Sequence, residues 1–233
     1  MQAEIPPERS LGHYLAAFRH DKSWRCIPDF LAIEKNKKHR LLDVGAGLIW
    51  FETLLAPEMP ACMFIAFDSS MPRLAKSKKS SSVRNVFFAQ GLAEALPFST
   101  GSFDSVLILN ALEHFGSAEH ALGECFRVLR PEGKAFFTAP NRFGRGHADS
   151  EYYGPAREFS YFELKGMLSK IGFDFRFVPP QIPETKNPLK AALFRVFVSS
   201  GLWKIFKPGA FRVVLAKPGD CGARHRQVTN LMV

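Results

Sequence analysis

The residues best placed to do chemistry lie in Leu41-Leu42-Asp43-Val44-Gly45-Ala46-Gly47. Their order reads as a short apolar strand ending in an acid, then a glycine turn into a helix. Such a junction aims backbone N–H groups and the positive end of a helix dipole at a ligand. It is the usual place for an α/β sheet to hold a nucleotide-like group. A dinucleotide site requires G-x-G-x-x-G, and the third position here is Trp50, too large for close helix–strand packing. Asp43 stands two residues before Gly45, where its charge would oppose a pyrophosphate. An acid there suits a ligand bearing an ammonium or sulfonium group.

The elements that must position this turn follow from periodicity. Helical spacing is expected over 10–20 and 24–36, with Leu11, Tyr14, Leu15 and Phe18 on one face. Strands are expected at Leu41–Val44, Met63–Phe67 (ending at Asp68), Val86–Ala89, Phe103–Leu109, Lys134–Ala139, Phe173–Val178 and Phe211–Ala216. Between them, helices are expected from Leu48 to Ala56, after Ser69-Ser70 with Pro72 in the first turn, and from Ser117 to Arg130. A further helix opens on the capping box Ser160–Glu163. Strands alternating with helices imply a parallel sheet with right-handed crossovers. Pro131-Glu132-Gly133 is a turn signal.

The 233 residues, 46% of them apolar, suffice for one domain with a substantial core, and the 23 Phe point to a bulky one. The scattered Cys26, Cys62, Cys125 and Cys221 form no CxxC pair, so reduced thiols in a cytoplasmic setting are expected, with no metal site. The longest apolar-rich segment, Ala191 to Phe206, contains Arg195 and Lys204 and is too short to span a bilayer. Most of the net charge of +9 lies between Gln181 and Val233, where nine Lys and Arg face only Glu184 and Asp220. That basic end could attract phosphate-bearing partners, or be a solvated surface with a loose tail.

From about Arg40 to Val178 the ordered segments resemble the class I S-adenosylmethionine-dependent methyltransferases, in the small-molecule type 11 branch. Besides the glycine turn, these are Asp68, Gly91-Leu92-Ala93-Glu94-Ala95-Leu96-Pro97-Phe98, Asn110-Ala111-Leu112-Glu113-His114, Val128-Leu129-Arg130-Pro131-Glu132-Gly133, Arg157-Glu158-Phe159-Ser160 and Ile171-Gly172-Phe173. The resemblance implies a Rossmann-like fold, a seven-stranded and mostly parallel sheet with helices on both faces and an antiparallel last strand. It implies S-adenosylmethionine as cofactor, with S-adenosylhomocysteine as product. The implied cofactor residues are Asp43, Gly45, Ala46, Gly47, Asp68, Ser69, Gly91, Leu92, Ala93 and Asn110. Asp68 is the acid expected to take the ribose hydroxyls, by strong charge-assisted bonds. The domain is expected to run over 40–216, after a helical cap (1–39), with a helical insertion at about 181–209 and a basic tail (217–233).

Two positions depart from the family pattern. Ile49 stands at the usual third glycine of G-x-G-x-G, awkward for a β-branched residue if the backbone needs φ > 0. Leu92 replaces an acid that accepts from the adenine amino group, a loss of about 0.5–1.5 kcal/mol. These departures leave open a methyltransferase-fold protein that binds without catalysing.

Methyl transfer is an in-line displacement at an activated sulfonium, so the protein mainly aligns the acceptor and excludes water. His114, after strand four, is the candidate base for a hydroxyl acceptor. The long loop Pro140–Glu158 carries Asn141, His147, Tyr152, Tyr153 and Arg157, suited to an acceptor with an anionic head and an apolar or ring portion. Residues 188–207 are apolar, aromatic and basic, as in a packed cover over a greasy substrate or a helix lying on an anionic membrane. A small or lipid-linked acceptor is expected. Net charge alone points to nucleic acid, against which stands the lack of an Asn-Pro-Pro-Tyr-like motif. A protein acceptor stays open, as does the oligomeric state.

Overall fold

The computed structural model describes residues 22–81, 83–143, 157–180, 187–206 and 209–219. Among them, seven apolar runs form β1 (His39–Val44), β2 (Cys62–Asp68), β3 (Val86–Gln90), β4 (Phe103–Ile108), β5 (Leu129–Pro140), β6 (Asp174–Phe177) and β7 (Ala210–Ala216). They join in one sheet of order β3-β2-β1-β4-β5-β7-β6. β1 runs parallel to β2 and β4, β2 to β3, and β4 to β5. β7 alone runs antiparallel, to both β5 and β6. This is the Rossmann-like architecture of the class I methyltransferases, with its reversed last strand.

Both sheet faces are covered, which explains why Val106–Leu109 and Ala135–Ala139 read as almost unbroken apolar runs. Successive side chains point to opposite faces. Leu42, Val106, Ile108 and Phe137 join one core, with Leu122 and Cys125 of α4 (Ala118–Val128) and Leu164 and Leu168 of α5 (Tyr161–Ile171). Leu41, Leu107, Leu109 and Phe136 join the other, with Ile27 of α1 (Ile27–Phe30) and Trp50 and Phe51 of α2 (Trp50–Leu55). Phe64, Phe67, Phe136, Phe137, Phe159, Phe173 and Phe211 are fully buried, and each such ring contributes roughly 1.5–3 kcal/mol. α3 (Met71–Ser80) opens with Pro72 in its first turn, and α5 carries both bonds of the Ser160–Glu163 capping box.

The expected helix over 24–36 is much shorter. A 3-10 turn (Lys22–Cys26) precedes α1, and the chain leaves the helix at Leu31. Ala32 takes a left-handed conformation (φ 55°). The Ile33 amide donates to the Pro28 carbonyl and the Ala32 amide to Asp29. These are the two closing bonds of a Schellman cap, with alanine in glycine's usual place. The expected helix over 10–20 lies outside the described residues, as does the tail from 220.

At Pro131-Glu132-Gly133 the expected turn is a break in register. Phe103 pairs with Leu129, but Ser105 pairs with Lys134, and Glu132 has φ 63°. Among the described residues no helix is long and apolar enough to cross a membrane.

Candidate active site

The chain visits β1, β2 and β3 on one side, then crosses to β4 and β5 on the other. A crevice therefore opens at the carboxyl ends of β1 and β4, where such sheets bind ligands. It holds a cavity of about 360 Å³, within the range of small-molecule sites. Gly45, Ala46, Gly47, Asp68, Ser69, Gly91, Leu92, Ala93, Asn110 and His114 all line it.

The glycine turn is fixed from below by the backbone. Gly45 and Ala46 amides both donate to the Phe67 carbonyl, at 2.7 and 3.1 Å. Gly45 has φ 78°, and a Cβ there would lie 2.5 Å from the Ala111 Cβ. That close approach brings the turn against the end of β4. Ser77 of α3 donates to the Gly47 carbonyl (3.1 Å), a brace that only the tertiary packing reveals. Ile49 has φ 47° and ψ 36°, the left-handed conformation at the family's third glycine. For a β-branched residue that costs about 1–2 kcal/mol. Its side chain is fully buried in the core around α2, and that burial holds the conformation. The turn thus keeps its shape with isoleucine in it.

Asp68 ends β2, buried yet bordering the cavity. Its Oδ2 accepts from the Gly47 amide (2.9 Å) and its Oδ1 from the Ser70 amide (2.8 Å). A carboxylate oxygen accepts more than one bond, so both retain capacity toward a ligand's hydroxyls. Gly91 follows β3, and a Cβ there would strike the Phe67 ring at 2.7 Å. Leu92 is 63% exposed at the cavity. The loop it opens is clamped by Arg127, which donates to the carbonyls of Phe98 (2.7 Å) and Leu96 (2.9 Å) and pairs with Glu124 (2.7 Å). Asn110 sits at φ 49°, its amide donating to Thr138 Oγ1 (2.8 Å) and its Oδ1 accepting from that hydroxyl (3.1 Å).

Asp43 does not border the cavity. It is buried beneath the turn, facing Glu52 of α2. Burial first, and then the Glu52 carboxyl, push the Asp43 pKa well above the carboxylate range; burial also raises that of Glu52. Both shifts favour the protonated carboxyl.

The acceptor residues expected on the long loop divide. Asn141 is buried away from the cavity, with Nδ2 donating to the Ile205 carbonyl (3.3 Å). Arg157 pairs with Glu163 (2.5 Å) and covers the Phe159 ring, 5.1 Å from its centroid. His147, Tyr152 and Tyr153 lie outside the described residues. After β4, a 3-10 turn (Leu112–His114) carries Glu113 and His114 to the cavity. His114 is exposed at the rim, and partial burial together with the Arg73 charge lowers its pKa. That shift favours the neutral imidazole. Arg73, Glu94 and Glu113 also line the cavity, unanticipated because their side-chain directions depend on the crossover connections.

A methyltransferase domain family model matches residues 42–137, the stretch from β1 through β5 that builds this crevice. The demethylmenaquinone methyltransferase of Thermus thermophilus is 30% identical over 225 residues, 94% of this chain and 99% of that protein. The chain belongs to the type 11 methyltransferase family. As a member it is an S-adenosylmethionine-dependent methyltransferase. The ubiquinone/menaquinone biosynthesis C-methyltransferase of Methylobacterium nodulans is 27% identical over 213 residues, 88% of this chain and 75% of that one. A solved S-adenosylmethionine-dependent methyltransferase from Mesorhizobium loti shares the fold, with a TM-score of 0.64 at 15% identity over 85% of this chain and 99% of that one. The methyltransferase crevice fits its cofactor chemically, having a carboxylate with spare acceptor capacity beside two glycines whose missing Cβ atoms leave room for packed neighbours.

Proposed function

We propose that this methyltransferase transfers a methyl group to a ring carbon of a lipid-linked quinol. Similarity along nearly the whole length of a demethylmenaquinone methyltransferase carries the reading. S-adenosylmethionine supplies a methyl group on a sulfonium that needs no further activation. Asp68 takes the ribose hydroxyls, Gly45, Ala46, Gly47, Ser69 and Asn110 shape the amino-acid and ribose side, and Gly91, Leu92 and Ala93 border the adenine. Asp43, buried beside Glu52, lies beneath the turn and outside the cavity lining. The test is incubation of the protein with S-adenosylmethionine and a short-chain demethylmenaquinone kept reduced. The expected product is a ring-methylated quinone found by mass spectrometry; unreacted quinone or an O-methyl ether would refute the reading.

His114, neutral and at the rim, accepts the proton of the acceptor's hydroxyl. His114→Ala is expected to lower turnover at least about tenfold and to leave S-adenosylhomocysteine affinity unchanged in calorimetry. Unaltered turnover would remove His114 from the mechanism. Arg157, and Tyr152, Tyr153 and His147 on the same loop, are assigned to the acceptor side; the Asn141 side chain anchors that loop's start to Ile205.

A lipid-linked acceptor also requires access from a membrane. α6 (Pro188–Ser199) exposes Leu189, Leu193 and Val196 by 67%, 63% and 63%, spaced to share one face. Lys190 and Arg195 are exposed on the same helix. α6 and α7 (Trp203–Phe206) link the end of β6 to the start of β7, on the crevice edge of the sheet, and Ala210 borders the cavity. An apolar face with basic neighbours suits the surface of an anionic bilayer. Co-sedimentation with phosphatidylglycerol vesicles is expected, weakened by salt and abolished in L193E/V196E. Equal recovery of both proteins with the vesicles would contradict this role.

A further inference from the structure

Methylation at a ring carbon leaves one proton too many. Once that carbon has given an electron pair to the methyl group, and the methyl group's former bond pair has left with sulfur, the carbon holds both its hydrogen and the new methyl. The ring regains aromaticity only when the carbon–hydrogen bond pair returns to the ring and a base takes the proton. His114 sits at the rim and holds the hydroxyl proton, so a second acceptor is needed deeper in the crevice.

We propose that Glu113 is that base, a catalytic residue that takes the ring-carbon proton; the assignment rests on the quinol reading above. Glu113 lines the cavity between the end of β4 and His114. Its Oε2 is buried and has no hydrogen-bond partner among the described residues. A buried, unsatisfied carboxylate oxygen costs stability, and active sites are where such costs persist. Its backbone is fixed, because the Arg157 amide donates to the Glu113 carbonyl (3.0 Å). The other titratable groups bordering the cavity are Asp68, Arg73, Glu94 and His114. Asp68 accepts from two backbone amides, and Glu94 Oε1 accepts from the Ser117 amide (3.0 Å). Of the cavity carboxylates, Glu113 is the one with a buried oxygen that has no partner among the described residues. Burial raises its pKa from 4.5 to about 7, near the value at which a base works best at neutral pH. The proton leaves for solvent after each turnover, while His114 returns its own to the ring oxygen.

The first test is Glu113→Gln, assayed with reduced demethylmenaquinone carrying hydrogen or deuterium at the ring position to be methylated. Turnover is expected to fall about 100-fold or more, with S-adenosylhomocysteine affinity unchanged. Ring deuteration should slow E113Q severalfold and the wild type little, since loss of the base makes proton removal rate-limiting. Retained turnover, or a loss without the isotope effect, overturns the assignment. The second test needs no acceptor: carbon-13 NMR of labelled glutamate carboxyls, with E113Q identifying the resonance. A midpoint near 7 is expected, and one at the ordinary 4.5 overturns the assignment while leaving the quinol reading intact. Wild-type protein inert toward the quinol would overturn both.

Discussion

Asp68→Ala is expected to lower affinity for S-adenosylhomocysteine by at least about 100-fold. A carboxylate taking both hydroxyls of a ribose makes two charge-assisted bonds, each contributing about 1.5–3 kcal/mol, and about 1.4 kcal/mol is tenfold in affinity. Asp68 also accepts from the Gly47 and Ser70 amides, so alanine leaves both turns without their acceptor and shifts the glycine backbone as well. Asp68→Asn keeps the shape and one acceptor oxygen, and should fall between alanine and wild type. Equilibrium dialysis with labelled S-adenosylhomocysteine measures all three. An Asp68→Ala affinity within tenfold of wild type would place the ribose elsewhere.

The second large effect separates two glycines two residues apart. Gly45→Ala meets the Ala111 Cβ at 2.5 Å and must hold φ 78°, whereas Gly47→Ala meets nothing within 4 Å and must hold φ 55°. The conformational cost is about 1–2 kcal/mol in each case. Only at Gly45 is overpacking added, typically about 1–3 kcal/mol. Thermal unfolding should therefore drop by roughly 5–15 °C for Gly45→Ala and clearly less for Gly47→Ala. Equal midpoints would show that β4 yields at Ala111.

The parts of the fold that were legible in sequence are those fixed by local pattern. Apolar runs ending at Val44 and Asp68, Pro72 in a first helical turn and the Ser160–Glu163 box each act within a few residues. Ala32 was not legible, since a left-handed cap on alanine has no compositional signal. The acceptor side was harder for a related reason. Arg157 pairs with Glu163 of α5 and Asn141 bonds the Ile205 carbonyl of α7, partners that no local pattern announces. Glu113 lay next to the residue singled out as the base. The 3-10 turn brings both to the cavity, with Glu113 the more buried. Asp43 carried the right charge for the site, but it is buried facing Glu52, in the first turn of α2, and burial beside that carboxyl raises its pKa.

Ile49 bears most directly on whether this methyltransferase holds its cofactor. The turn from Gly45 to Ile49 keeps a left-handed backbone at its usual third glycine, because the isoleucine side chain is buried beneath it. Calorimetric titration of the wild-type protein with S-adenosylhomocysteine decides the matter. One molecule bound per chain in the micromolar range is the predicted result. An absence of binding heat at millimolar ligand would contradict it.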